Sequence, residues 1–131
     1  MIINVRTTQD QQFIDITSQV RQFVEQEGLQ DGCVVVYVPH TTAGVTINEN
    51  SDPTVPRDIL TTLNKVFPVT GDYRHLEGNS HAHIKASLVG SSCTVLVENG
   101  QLQLGTWQGI FFCEFDGPRQ RRVQLKAIAS R

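Results

Sequence analysis

Three clusters of polar residues carry side chains able to do chemistry. The first, His40-Thr41-Thr42-Ala43-Gly44, sets an imidazole beside two hydroxyls at the end of an apolar run. A histidine there can act as acid, base or metal ligand, because it titrates close to neutrality; it can equally do no more than order a turn. The second, Asn48-Glu49-Asn50-Ser51-Asp52-Pro53, gathers carboxylates and amides able to hold a divalent cation through oxygen. Asp52 can instead cap a following helix, a role that suits Glu49 less well. The third, His75-Leu76-Glu77-Gly78-Asn79-Ser80-His81-Ala82-His83, holds three of the four histidines. On a strand His81 and His83 would share a face and could share one ion. On a helix they point roughly 200° apart, so one faces a site and the other serves elsewhere. The spacing is not a specific zinc pattern of the H-E-x-x-H kind.

Two further features bear on binding. Arg119, Arg121 and Arg122 follow the turn residues Asp116-Gly117-Pro118. One of them could clamp a phosphate, and a solvated edge strand explains the cluster as well. Arg121 and Arg122, as neighbours on a strand, should point to opposite faces. The only tryptophan lies in Gly105-Thr106-Trp107-Gln108-Gly109-Ile110. Glycines permit close backbone approach, and the indole offers a flat face with one donor. The combination suits a ligand pocket or a subunit contact; local chemistry leans towards a core tryptophan at a barrel or sandwich corner.

The elements that must position these residues are legible from periodicity. Ile2–Arg6 and Gln12–Ile16 read as short strands. A helix starts at Thr17 or Ser18, either of which can cap it, places Ile16, Val20, Phe23 and Val24 on one face, and stops at Gly28. Cys33–Val38 is a β-branched strand closed by Pro39, apolar enough to predict burial on both faces. Val45–Asn48 alternates like a strand. Pro53–Phe67 reads as a helix with Asp52 as cap, ended by Pro68. Residues 69–79 form a loop. Ser80–Val89 alternates like a strand, yet its helix formers, its capping residue and Gly90 favour a helix. Cys93–Glu98 and Gln101–Leu104 flank Asn99-Gly100, a strong hairpin signal. Ile110–Phe115 and Arg121–Ile128 flank the turn at Asp116-Gly117-Pro118. The expectation is one α+β domain over 1–131, with a mainly antiparallel sheet and two or three helices on one face.

The bulk composition excludes several classes. The chain has 131 residues, a formal net charge of -2 and 39% hydrophobic residues. That is one ordinary globular domain, with no charge excess pointing to nucleic acid and no apolar run of the ~20 residues needed to span a membrane. Met1–Arg6 lacks a secretory pattern, so a cytoplasmic location is expected. Cys33, Cys93 and Cys113 form no C-x-x-C pair and read as reduced, buried small hydrophobes. No phosphate-binding Gly-rich loop or nucleophilic-serine elbow is present.

In order along the chain, His40-Thr41-Thr42-Ala43, Asn48 to Pro53, Gly78 to Leu88, Glu98-Asn99-Gly100, Gly105 to Ile110 and Asp116 to Arg119 closely resemble the YjbQ-like family, also described as secondary thiamine-phosphate synthase enzymes. The resemblance runs nearly end to end. It implies a homotrimer with a polar site near subunit boundaries. It further implies a weak transferase activity that couples a pyrimidine-methyl diphosphate to a thiazole phosphate with loss of pyrophosphate. The competing expectation is a non-catalytic module for a small phosphorylated or anionic metabolite. Carried over by motif, the catalytic candidates are His40, His83, Trp107 and Gln108, and the substrate-binding candidates Lys85 and Arg119. A divalent cation, Mg²⁺ or Zn²⁺, would be held among Glu49, Asp52, His40, His83 and His81.

Overall fold

The computed structural model describes residues 1–131. Along the chain lie β1 (Ile2–Arg6), β2 (Gln12–Asp15), α1 (Thr17–Glu27), β3 (Asp31–Tyr37), β4 (Ala43–Glu49), α2 (Thr54–Val66), α3 (Ser80–Val89), β5 (Ser92–Glu98), β6 (Gln101–Leu102), β7 (Gln108–Glu114) and β8 (Gln120–Ala129). The α+β class holds, with antiparallel pairing throughout. The strands divide between two sheets, ordered β1-β8-β3-β5-β6 and β2-β7-β4. β7 and β8 are therefore not a hairpin: the turn at Asp116-Gly117-Pro118 carries the chain from one sheet to the other. β8 is also no edge strand, since β1 and β3 flank it, which removes the edge explanation for the arginines.

Alternation along β7 explains the layering. Ile110 and Phe112 enter a core shared with Val34 and Val36 of β3, Val95 and Val97 of β5, and Val20, Phe23 and Val24 of α1. Phe111 and Cys113 point the other way and pack with Ala82 and Ala86 of α3 and, partly buried, Leu60 and Leu63 of α2. The molecule is thus a layer of α2 and α3 on the smaller sheet, which in turn faces the larger one. Helix α1 carries its apolar stripe into the main core, and Gly28 ends it in a left-handed turn. The start of α1 departs from expectation. Neither Thr17 nor Ser18 is its cap. Asp15 accepts the Thr17 N–H at 2.9 Å and its hydroxyl at 2.6 Å, while the Thr17 hydroxyl accepts the Ile110 N–H at 2.8 Å. The outer face of the larger sheet is less covered than the β3 sequence implied. Val34 and Val36 are buried, but Tyr37 is exposed, as are Leu96, Ile128 and Ile2.

One charged pair lies between the sheets. Arg121 of β8 donates from Nε to Glu114 Oε1 of β7 at 2.8 Å, and its Nη2 meets Glu114 Oε2. The Thr7 hydroxyl donates to Glu114 at 2.8 Å, and Arg121 donates to the Thr42 hydroxyl at 2.8 Å. All four side chains are buried. Burial alone would raise the Glu114 carboxyl, but the bonds from Arg121, the Asp116 N–H and Thr7 outweigh it and hold the carboxyl below its ordinary 4.5. Removing one partner strands the other charge in the core, so Glu114→Ala should cost about 3–5 kcal/mol in urea denaturation. Because the folded carboxyl titrates below its unfolded value, its contribution is complete above 4.5 and is lost as pH falls through the folded pKa. Acidification below that value should lower the denaturation midpoint of the wild type more steeply than that of Glu114→Gln; parallel profiles would contradict the assignment.

Candidate functional site

The turn after β3 and the helix α3 bring two of the candidate histidines together. Gly44 lies so close to the end of α3 that a β-carbon there would sit 2.5 Å from the Gly90 carbonyl, and the Val45 N–H donates to that carbonyl at 3.1 Å. This contact seats the His40 turn beside the outer face of α3. His40, Thr41, Ala43, His83, Ser87 and Ser91 line one hollow of about 390 Å³. The His83 ring also lies edge-on to His75, with centroids 5.3 Å apart. There it borders a second hollow of about 480 Å³ with Arg74 and Ser80, at the start of α3. Around His40 the charge is positive. Burial first, then Arg121 and Arg122, holds its imidazole below the ordinary histidine range, only partly offset by Glu114.

Ser80–Val89 is a helix, and the two histidines diverge on it as helical spacing requires. His81 is buried, one turn before Lys85. The Lys85 ammonium meets His81 Nδ1 at 2.7 Å and Asn64 Oδ1 of α2 at 2.5 Å, and Gln11 donates to the same Asn64 oxygen at 3.0 Å. Burial lowers the pKa of both groups, with Lys85 adding to the effect on His81. Lys85 is wholly withdrawn from solvent, so its amine is committed to an internal network. Sequence reasoning missed Asn64 and Gln11, which no motif marks.

The remaining candidates, Arg119 excepted, stand at the far end of β4. Glu49 lies opposite Gln108 in register, whereas Ala43 lies opposite Glu114; six strand positions separate them, roughly 20 Å at ~3.3 Å per residue. Asp52 accepts the Thr54 N–H at 2.9 Å and the Thr54 hydroxyl at 2.7 Å, bonds that hold its carboxyl below the ordinary range. That is helix-capping work at the start of α2. Trp107 is 62% exposed, which overturns the core reading. Gln108 folds back to accept the Gly105 N–H at 2.8 Å and lines a third hollow, of about 570 Å³, with Asp15, Arg21 and Asn50. Arg119 is exposed and paired with Asp116 at 3.0 Å. Within one chain, then, the carboxylates and imidazoles named as ligands do not meet, and no group of three His, Cys, Asp or Glu side chains is placed to hold a metal ion. Burial pushes the Cys93 thiol up to about 11 and Cys113 higher, so neither is a reactive thiolate.

Comparison with known proteins settles the lineage. The family model described as UPF0047 protein YjbQ-like matches residues 1–130. The chain belongs to the YjbQ-like UPF0047 family. It is 51% identical over 127 residues to the UPF0047 protein YugU of Bacillus subtilis, covering 96% of each chain. A UPF0047 protein of Methanocaldococcus jannaschii is 49% identical over 127 residues, 97% of this chain and 92% of the relative. A crystal structure of an uncharacterized YjbQ/UPF0047 protein from Clostridium acetobutylicum superposes with a TM-score of 0.97 at 62% identity, covering 98% of this chain and 99% of that one. A YbjQ-like protein of unknown function from Sulfolobus solfataricus gives 0.95 at 34% identity, over 99% and 96%. No helix in this family member is long and apolar enough to cross a membrane.

The glycine two residues after Trp107 has a steric basis. A β-carbon on Gly109 would lie 2.3 Å from Asn50 Nδ2 and 2.7 Å from its Cβ. Asn50 in turn donates to Asp15 at 3.0 Å. Gly109→Ala should therefore displace Asn50 and lower stability by about 1–3 kcal/mol in urea denaturation; a midpoint equal to wild type would refute this close approach.

Proposed function

We propose that the protein binds a small phosphorylated or anionic metabolite in the hollow between His40 and His83, as a homotrimer in the cytoplasm. The observation that carries this reading is that imidazoles from the β3–β4 connection and from α3, 43 positions apart in the sequence, line one solvent-reachable hollow. The local field favours an anion, since Arg121 and Glu114 neutralise each other and Arg122 remains as the charge acting on His40. The neighbouring hollow adds Arg74 and His75, offset in part by Asp72, and the Ser80 end of α3, where the helix dipole attracts phosphate. Assembly is supported by the outer face of the larger sheet, where Ile2, Tyr37, Leu96 and Ile128 are all exposed; a lone soluble chain rarely leaves such a patch uncovered.

The second reading is transfer of the thiamine-phosphate synthase kind, in which a thiazole nitrogen attacks a methylene carbon as pyrophosphate departs. It is favoured by the exposed Trp107, a free aromatic face able to stack on a heteroaromatic ring. In that case a neighbouring subunit would have to bring its Trp107, Gln108, Glu49 and Asp52 up to His40 and His83. Arg119 or Arg74 would meet phosphate oxygens, and His83 would donate a proton to the leaving group.

Calorimetric titration with inorganic pyrophosphate tests the binding site. Each of His40→Ala and His83→Ala should weaken binding about tenfold or more, since a hydrogen bond to a charged group is worth ~1.5–3 kcal/mol. Unchanged affinity in folded forms of both variants would refute the site. Product formation with purified protein in excess over both synthase substrates would promote the second reading over the first.

A further inference from the structure

The ladder between β3 and β8 ends at Tyr37 opposite Gln124. Continued in that register, the position opposite Arg122 is Pro39. The Arg122 N–H finds its partner instead in the His40 side chain, donating to Nε2 at 2.9 Å. An imidazole nitrogen that accepts a hydrogen bond carries a lone pair, so in the neutral ring the proton must lie on the other nitrogen. A ring that accepts this bond is neutral, because both nitrogens of an imidazolium carry protons. No protein group bonds Nδ1, and its proton is available to a ligand.

We propose that the Arg122 backbone fixes His40 as the Nδ1–H tautomer, so that His40 serves the hollow as a hydrogen-bond donor to a ligand oxygen and not as a metal ligand or a general base. This rests on the reading above that the hollow takes an anion, and it decides how His40 takes part. The ring's one lone pair is occupied by a backbone amide, and a metal would have to displace that bond and leave the amide unpaired. The other lining groups agree. Thr41 and Ser91 add hydroxyls, and no carboxylate or thiol lines the hollow. The C-terminal end of α3 is also near, and by itself would favour a cation. Its carbonyls at Ala86 and Gly90 already accept the Gly90 and Val45 N–H groups, which blunts that preference.

Long-range ¹H–¹⁵N spectra of the ¹⁵N-labelled protein, recorded above the imidazole titration, read the tautomer directly. The His40 signals are identified by their loss in His40→Gln. The proposal expects the Nδ1–H pattern for His40, unchanged by equimolar Zn²⁺ and shifted by inorganic pyrophosphate. An Nε2–H pattern, or loss of the His40 signals on adding Zn²⁺, would overturn it. If the Nδ1–H pattern is present but pyrophosphate shifts neither His40 nor His83, the anion-binding reading falls while the tautomer assignment stands.

Discussion

The buried pair of Arg121 and Glu114 is the contact on which the arrangement of this molecule depends. It joins β8 of one sheet to β7 of the other, and it is further hydrogen-bonded by Thr7, Thr42 and the Asp116 N–H. The Thr7 hydroxyl also accepts the Arg119 N–H at 2.8 Å, which ties the inter-sheet turn back to the end of β1. Two charges out of water are costly unless paired and hydrogen-bonded, and here each has its counter-ion and a threonine partner. The gain is registry. Arg121 points inward and holds Thr42; Arg122, next in the strand, offers its backbone N–H to His40, two residues before Thr42. One inter-sheet clamp thus sets both the packing of the layers and the pose of the imidazole at the candidate site.

Much of this was legible in the sequence because it rests on local periodicity. The helical stripe Ile16, Val20, Phe23 and Val24 is buried as read. Asn99 and Gly100 take φ values of 51° and 73°, as a tight hairpin turn requires. The divergence of His81 and His83 followed once Ser80–Val89 was read as a helix. What was not legible depends on pairing between distant segments. Periodicity gives each strand a face, but not whether β7 and β8 belong to one sheet or two. Glu114 did leave a signal, as the lone charge in the apolar stretch Ile110–Phe115, and a buried charge of that kind calls for a partner. Trp107 was misplaced for a different reason. Composition favours burial of an indole, whereas its turn sits at the rim of the smaller sheet.

The site residues divide into two groups at opposite ends of β4. At one end, His40 and His83 share a hollow; at the other, Glu49, Asp52, Trp107 and Gln108 surround the start of β7. Asp52 is already engaged in capping α2, and Lys85 in an internal network with His81 and Asn64. A motif read along the chain cannot separate a residue that meets ligand from one that builds the frame. The frame here uses the same residue types, because buried polar groups need partners as much as ligands do.

A crystal structure of the protein equilibrated with inorganic pyrophosphate would show directly where the anion sits. The anion is expected between His40 and His83, with one of its oxygens accepting a hydrogen bond from His40 Nδ1. Pyrophosphate held instead in the hollow of Asp15, Arg21 and Gln108, with the space between His40 and His83 empty, would contradict the proposed site.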